Sequence, residues 1–379
     1  MKLHVVSFQV PYPPAYGGLI DVYYKLKALK EAGCDIVLHT YKYRTEEAPQ
    51  LNEVAGKVYY YERFTGVSSL FSFIPYIVYS RRNRLLLQRL NEDDSPILFE
   101  GLYTCYFLDH KSLRSRLKLV RTHNVEHDYY KHLGDSAVSF FKRCYYRLEA
   151  CKLRSYEKQL RHADAILAIT PFDQEYFSKC YAPVPAEWIP CFYNNILPDT
   201  STGTDSYVLY HGNLSVDENV HAALYILNDL LPSLDRNIRV IIAGKSPAPA
   251  LVKRIADFSN VQLIADPSEE EMQRLIVRAR INLLLTFQDT GIKLKLIHSL
   301  FKGHGFCLVN TPMLTDSALA PLCLVADGRT ALVEQIERLY VMEPSAEEVE
   351  KRIRHLQMIY DNHANACKLL SLCKSPKKP

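Results

Sequence analysis

The residues Ile281–Asn310, INLLLTFQDTGIKLKLIHSLFKGHGFCLVN, constrain the fold more than any other stretch of the chain. An apolar run ending near Thr286 is long enough for a buried strand. A polar turn from Phe287 to Gly291 follows. Then Ile292, Leu294, Leu296, Ile297, Leu300 and Phe301 recur at helical spacing up to Gly303. Phe306–Val309 reads as the next strand, parallel to the first, so the stretch is a βαβ unit. Its helix is predicted to open at Thr290-Gly291 and to carry Lys293 and Lys295 in its first turn. Unpaired N–H groups and the positive end of the helix dipole favour an anion there. Two lysines at that end oppose the dipole, and they read either as neighbours of a phosphate or as solvated surface charges.

The same alternation runs through the whole chain. Strands are predicted at Leu3–Phe8, Asp35–Tyr41, Lys57–Tyr61, Ser95–Glu100, Leu117–Thr122 and Ala165–Ile169, with a helix over Leu19–Glu31 and a long helical stretch over Ala137–Arg161. A short strand around Trp188–Pro190 leads into CFYNNILPDTSTGTDS, whose Asn, Pro, Asp, Ser, Thr and Gly content marks a linker. Beyond it the pattern restarts with strands at Tyr207–Tyr210, Ile238–Ala243, Val261–Ile264 and Leu322–Val325, and helices over Glu218–Leu231 and Glu270–Arg278. Two consecutive βα series joined by a linker imply an α/β fold of two facing, Rossmann-like, doubly wound domains. The expected boundaries are 1–195, 205–345, and a final segment 346–379 whose helix, Ala346–Leu370, packs back on the first domain. In such sheets ligands bind beyond the carboxyl ends of the strands.

At 379 residues the chain exceeds one ordinary core. No apolar run reaches the roughly 18 to 20 residues that span a bilayer, and the first ten residues are too short an apolar run for a signal peptide. Ten cysteines without CxxC spacing read as reduced, mostly buried thiols of a cytoplasmic protein. Between Lys111 and Arg161 thirteen basic residues stand against five acidic ones. That excess suits an anionic partner, a membrane surface or a lipid diphosphate before nucleic acid, or it is the solvated face of an amphipathic helix. The chain lacks GxGxxG after its first strand, GxxxxGK[ST], HExxH and GxSxG, so a dinucleotide dehydrogenase, a P-loop NTPase, a zincin or an α/β-hydrolase is not supported. What remains is a set of glycine turns after strands, at Gly17-Gly18, Gly212, Gly244 and Gly291. Together they suit a nucleotide-diphosphate ligand.

Several stretches resemble a known family. PYPPAYGGLIDVYYKLKALKEAG, THNVEHDYY, ADAILAITPFDQEYF with EWIPCFYNN, VLYHGNLSVDENVHAALYIL, IIAGKSP and GIKLKLIHSLFKG occur in the order seen in GT-B glycosyltransferases, most like the retaining family 4 called glycosyl transferases group 1. The resemblance covers nearly the whole chain. It implies a metal-independent, hexosyltransferase-like enzyme without cofactor, acting in bacterial polysaccharide or glycoconjugate synthesis. Such an enzyme takes a nucleotide-diphosphate sugar as donor and a saccharide or lipid-linked saccharide as acceptor. It would be cytoplasmic, with a peripheral contact at the inner face of the plasma membrane and no nucleic-acid partner. Gly17 and Gly18 would approach the donor diphosphate. His123 would lie at the donor sugar, with Glu126 orienting a base, and Asp173 would start a helix. Gly212, Asn213, Lys245, Thr290, Gly291, Ile292, Lys295 and His298 would line the donor site, and Lys293 would stabilise the leaving diphosphate.

The chain departs from the family pattern at four places. The two glutamates expected eight positions apart fall at Thr290 and His298, and the expected basic pair falls at Asn213 and Glu218. Lys293 and Lys245 would then supply the positive charge, in a rebuilt site or in a protein that has lost activity. His211 reads as a cleft residue or as a structural cap of its turn, His127 as a residue of the acceptor side or a solvated one, His304 as a polar loop residue, and Asp93-Asp94 as a solvated turn rather than a metal site. Ser69–Leu90, with Arg81, Arg82, Arg84 and Arg89, reads as a membrane-surface stretch or as a buried helix with snorkelling arginines. Two other classes stay open: a sugar-nucleotide epimerase on the same fold, and a non-catalytic sugar-nucleotide-binding subunit.

Overall fold

Seven strands and six strands build two separate parallel sheets in the computed structural model, which describes all residues except 15–16, 44–45, 67–68, 70–71, 138, 195–202, 289–290 and 375–379. The first sheet contains β1 (Lys2–Ser7), β2 (Asp35–Lys42), β3 (Lys57–Glu62), β4 (Ile97–Glu100), β5 (Lys118–Thr122), β6 (Ala165–Ala168) and β7 (Ala186–Trp188). Its spatial order is β3-β2-β1-β4-β5-β6-β7, and every pairing is parallel. The second contains β8 (Asp205–Asn213), β9 (Val240–Lys245), β10 (Val261–Ala265), β11 (Ala279–Leu284), β12 (Phe306–Val309) and β13 (Leu324–Val325), in the order β10-β9-β8-β11-β12-β13, again all parallel.

Helices cover both faces of each sheet, which is why the strands read as unbroken apolar runs rather than alternating ones. In the first unit Leu3, Val5, Leu38, Leu98 and Leu119 point into one core, while Val6, Phe99, Val120 and Ile166 point into the other. In the second, Val208, Tyr210, Val240 and Leu283 face one side, and Tyr207, Leu209 and Ile241 the other. Both sheets reverse strand order once, between β1 and β4 and between β8 and β11. Those two switch points fix where each sheet can receive a ligand.

The first compact unit comprises 1–194, 290–292 and 360–379, and the second 195–289 and 293–359. The predicted single helix over Ala346–Leu370 is two helices, Ala346–Ile359 in the second unit and Asn362–Leu372 in the first. Asp361 breaks it, because its carboxylate accepts from the Ala364 amide and caps the new helix. The expected stretch Ala137–Arg161 holds a helix over Phe140–Tyr156 followed by a 3-10 segment over Glu157–His162, and a separate helix over Glu126–Ser136 precedes it and ends at extended Ala137. The linker starts later than its composition suggests, because Cys191, Phe192 and Tyr193 are buried in the first unit. The helix of the Ile281–Asn310 unit begins at Leu294, so Lys293 is its N-cap residue and not part of its first turn. All ten cysteines are free thiols, but Cys144, Cys151, Cys180 and Cys367 are exposed, so burial holds for only part of the set. Among the described residues no helix is long and apolar enough to cross a membrane.

The helix Asn362–Leu372 sets Ala366, Leu369 and Leu370 into the first core. Replacing fully buried Leu369 by alanine is expected to cost about 2–5 kcal/mol, read as an earlier urea transition of the first unit.

Candidate functional site

At the switch point of the first sheet, three strands deliver a buried cluster of charge. Asp21 lies on the helix Gly17–Glu31 that follows β1, Glu100 ends β4, Arg121 is on β5, and His123 is the first residue but one after Arg121. All are buried, as is Lys25. Arg121 donates to both oxygens of Asp21 at 2.9 and 3.1 Å. Lys25 Nζ reaches Asp21 at 2.8 Å and Glu100 at 3.0 Å. His123 Nε2 lies 3.2 Å from Glu100 Oε2, and its Nδ1 lies 4.0 Å from Asp21. Burial alone would raise the Asp21 carboxyl, but Arg121 and Lys25 outweigh it and hold the group far below the ordinary carboxylate range. The ring of Phe8 stands edge-on to His123 at 5.6 Å.

Asp21, Glu100 and His123 are the one group among the described residues whose ligand atoms lie close enough together for a metal ion. The carboxylates already hold the Lys25 and Arg121 cations, so a dication there would meet two positive charges at contact distance. The cluster is therefore a set of internal ion pairs that fixes the imidazole.

Glu126 opens the helix after His123 and is buried. Burial pushes its carboxyl up to about 8, against the opposing effect of the Tyr103 hydroxyl and Asn124 amide beside it. A neutral carboxylic acid at this pH can donate a proton or a hydrogen bond. Gly17 and Gly18 are the first two residues of their helix rather than a preceding loop. A Cβ on Gly18 would meet the Phe8 ring at 2.8 Å. Gly291 and Ile292 group with this unit, where Gly291 has φ +68° and a Cβ would fall 2.0 Å from Asn124 Oδ1. Only glycine fits there. Thr290 lies outside the described residues.

At the switch point of the second sheet, Gly212 and Gly244 sit within β8 and β9, not in turns after them. They pair in register, and a Cβ on Gly244 would fall 1.8 Å from the Gly212 carbonyl oxygen. Asn213 and exposed Lys245 are the next pair, at the carboxyl ends of both strands. Lys295 donates to Asn219 Oδ1 at 3.3 Å and to the Leu285 carbonyl at 3.1 Å, over the Tyr210 ring. Burial lowers its ammonium to about 8, with Glu218 opposing that shift. Lys295 is thus tied into the unit, and Glu218 in turn hydrogen-bonds the Thr286 hydroxyl. Burial lowers His298 to about 4 and His211 to about 3. His211 is a strand residue bound to Ser299, the structural alternative of its two readings.

Some expected roles change. Asp93 is not merely solvated, since it pairs with Lys2, His4 and Arg116. His127 binds Glu157, and His304 is buried. Arg81 is buried too, donating to the Phe8 carbonyl, while Arg82 and Arg89 stack on Tyr79 and Tyr59. These arginines serve the packing of the first unit. Asp21, Lys25, Glu100 and Arg121 were not singled out from sequence. An Asp and a Lys four apart on an apolar helix was the available signal.

No protein-family profile matches the chain. An uncharacterized 44.6 kDa protein in the cps region of Klebsiella pneumoniae is 30% identical over 313 residues, 78% of this chain and 79% of that protein. This chain belongs to the family of that cps-region protein. Its fold is that of the GT-B glycosyltransferases. The sucrose-phosphate synthase of Thermosynechococcus elongatus superposes with a TM-score of 0.71 at 14% identity, covering 98% of each chain. TarM of S. aureus, in a complex with UDP, gives 0.66 at 10% identity over 99% of this chain and 100% of its own. The UDP-forming trehalose-phosphate synthase of Burkholderia vietnamiensis gives 0.65 at 11% identity over 100% of this cps-family chain and 98% of its own.

Removing Asp21 leaves Arg121 without its carboxylate partner and two buried cations against the single carboxylate of Glu100, so Asp21→Ala is expected to cost about 3–5 kcal/mol, measured by denaturant unfolding. For Glu126 the sign follows from a folded value of about 8 against an ordinary 4.5. The folded protein keeps that proton while the unfolded chain loses it, so stability falls as pH rises between those values. Glu126→Gln should therefore gain on the wild type across that window, by on the order of a few kcal/mol at its upper end, seen as diverging thermal midpoints.

Proposed function

We propose that this cps-family protein is a retaining glycosyltransferase. It would move a sugar from a nucleotide-diphosphate sugar to a hydroxyl of a saccharide or lipid-linked saccharide in polysaccharide synthesis, on the cytoplasmic side of the membrane. The observation that carries this reading is the polar and charged groups at the carboxyl ends of the strands beside each switch point. His123 with its ion-pair bed follows β5 in one unit, and Asn213 and Lys245 end β8 and β9 in the other. The UDP in TarM and the UDP-forming trehalose-phosphate synthase support a nucleoside diphosphate as the leaving group.

In the proposed reaction the bond from the anomeric carbon to the diphosphate oxygen breaks, and its electron pair leaves with the diphosphate. The acceptor oxygen bonds the same face of that carbon, and its proton passes to the departing oxygen. Charge growing on the diphosphate would be met by Lys293 and Lys245 of the second unit. The His123 ring is held by Glu100, so the backbone carbonyl of His123 is the group we assign to the positive anomeric centre. Glu126, protonated near neutral pH, would orient the acceptor side. No metal is assigned to the leaving group.

A second reading, a subunit that binds a sugar nucleotide without transferring it, is favoured by two side chains. Lys295 is held by acceptors of its own unit, and His298 is held neutral by burial.

The first test is a thermal-shift panel of UDP, GDP, ADP, CMP and dTDP on wild type and Lys293→Ala. A ligand at 100 times its Kd stabilises by about 2.7 kcal/mol, and one diphosphate should shift the wild type but not the variant. Release of nucleoside diphosphate from the matching sugar donor should fall by a factor on the order of one hundred or more in Lys293→Ala, as for loss of one preorganised charge donor. Binding without any hydrolysis or transfer would establish the second reading.

A further inference from the structure

A cavity of about 520 Å³ opens in the second unit at the amino ends of β12 and β13, the sheet edge opposite the one that carries Asn213 and Lys245. Two thiols line it. Leu308 pairs with Leu324 and Val309 with Val325 in parallel register, so Cys307 and Cys323, one step earlier, stand opposite each other. Neighbouring strands lie about 4.8 Å apart, inside the Cα separation of roughly 4.4–6.8 Å that a disulfide spans. The Cys323 thiol is within hydrogen-bonding reach of Cys307. Cys307 is buried and Cys323 half-buried, so a molecule in the cavity meets Cys323 first.

The wall beside the pair is cationic. Arg352 donates to the Gly303 and Gly305 carbonyls and Arg338 to Gln335, and among the described residues neither has a carboxylate at ion-pair distance. Glu343 pairs with Arg280 and Lys351 with Glu347, while His304, His355 and Glu348 complete the titratable groups of the wall. We infer that Cys307 and Cys323 form a thiol–disulfide exchange site that takes a low-molecular-weight anionic disulfide from this cavity. The Cys323 thiolate attacks one sulfur of the reagent, its S–S bond breaks, and the first half leaves as a thiolate that takes up a proton. The Cys307 thiolate then attacks the Cys323 sulfur of the mixed disulfide, and the second half leaves in the same way. One disulfide is consumed, one forms between β12 and β13, and two thiols are released. The new bond ties the 3-10 segment Ser317–Leu322 and the start of β13 to β12. The site does not rest on the transferase reading. Contact with Cys307, and then burial, push the Cys323 thiol well above its ordinary range. Exchange is therefore slow near neutral pH and faster in alkali, because only the thiolate attacks.

The test incubates the reduced full chain with glutathione disulfide, quenches by acid and alkylation, and reads non-reduced peptides by mass spectrometry. A peptide linking Cys307 to Cys323 is expected, forming about tenfold faster per pH unit from about pH 7 to 9 and lost on adding dithiothreitol. Cys307→Ala should halt the reaction at a glutathione adduct on Cys323, and Cys323→Ser should leave Cys307 a free thiol. At low salt the cationic disulfide cystamine should react more slowly than glutathione disulfide, and Arg338→Glu should narrow that difference. Glutathione taken up only at exposed Cys144, Cys151, Cys180 and Cys367, with no linked peptide even in alkali, would overturn the site. Cystamine reacting as fast as glutathione disulfide would overturn its preference for an anion.

Discussion

Asp21 holds the charged centre of the first unit together. One carboxylate accepts from Arg121, Lys25 and the Phe192 amide, and it does so without access to water. Two buried cations and two buried carboxylates cost several kcal/mol each to desolvate, and only close, well-directed pairing offsets that. The geometry here is close to ideal, with a two-oxygen guanidinium contact and a lysine bridging two acids. A network of this kind is rigid because each member's position is set by the others. Its consequence is local and specific. His123, at the end of β5, has its ring fixed by Glu100, and the backbone on either side is fixed with it.

The second unit handles its cations differently. Lys295 is turned inward to a carbonyl and an amide, whereas Lys245 stands exposed at the end of its strand and Lys293 precedes the helix. A lysine held by neutral acceptors in a buried place loses part of its charge, which is why its ammonium is lowered to about 8. In the proposed donor site, exposed Lys245 is therefore better placed than Lys295 to meet an anionic ligand. Charge on the first unit also divides by burial. Arg81 and Arg121 are inside and paired with backbone or carboxylate, and Lys142, Arg143 and Arg154 are outside.

The alternation of apolar runs and helical periods determined the architecture by itself. Strands covered on both faces must be apolar throughout, and βα repeats with glycine near the strand ends have few other ways to pack. Hence the two parallel sheets, the strand positions and the placement of His123 and Asn213 at strand ends were legible in the residues. The break within the final helical stretch was not, because Tyr360-Asp361 carries no proline or glycine signal and the division is made by packing and by one aspartate cap. What only the tertiary structure decided is which charges are buried and with whom. Asp21 meets Arg121 across 100 positions and Lys25 meets Glu100 across 75. No local pattern encodes a partner that far away, because such pairs exist only once the strands have taken their order in the sheet.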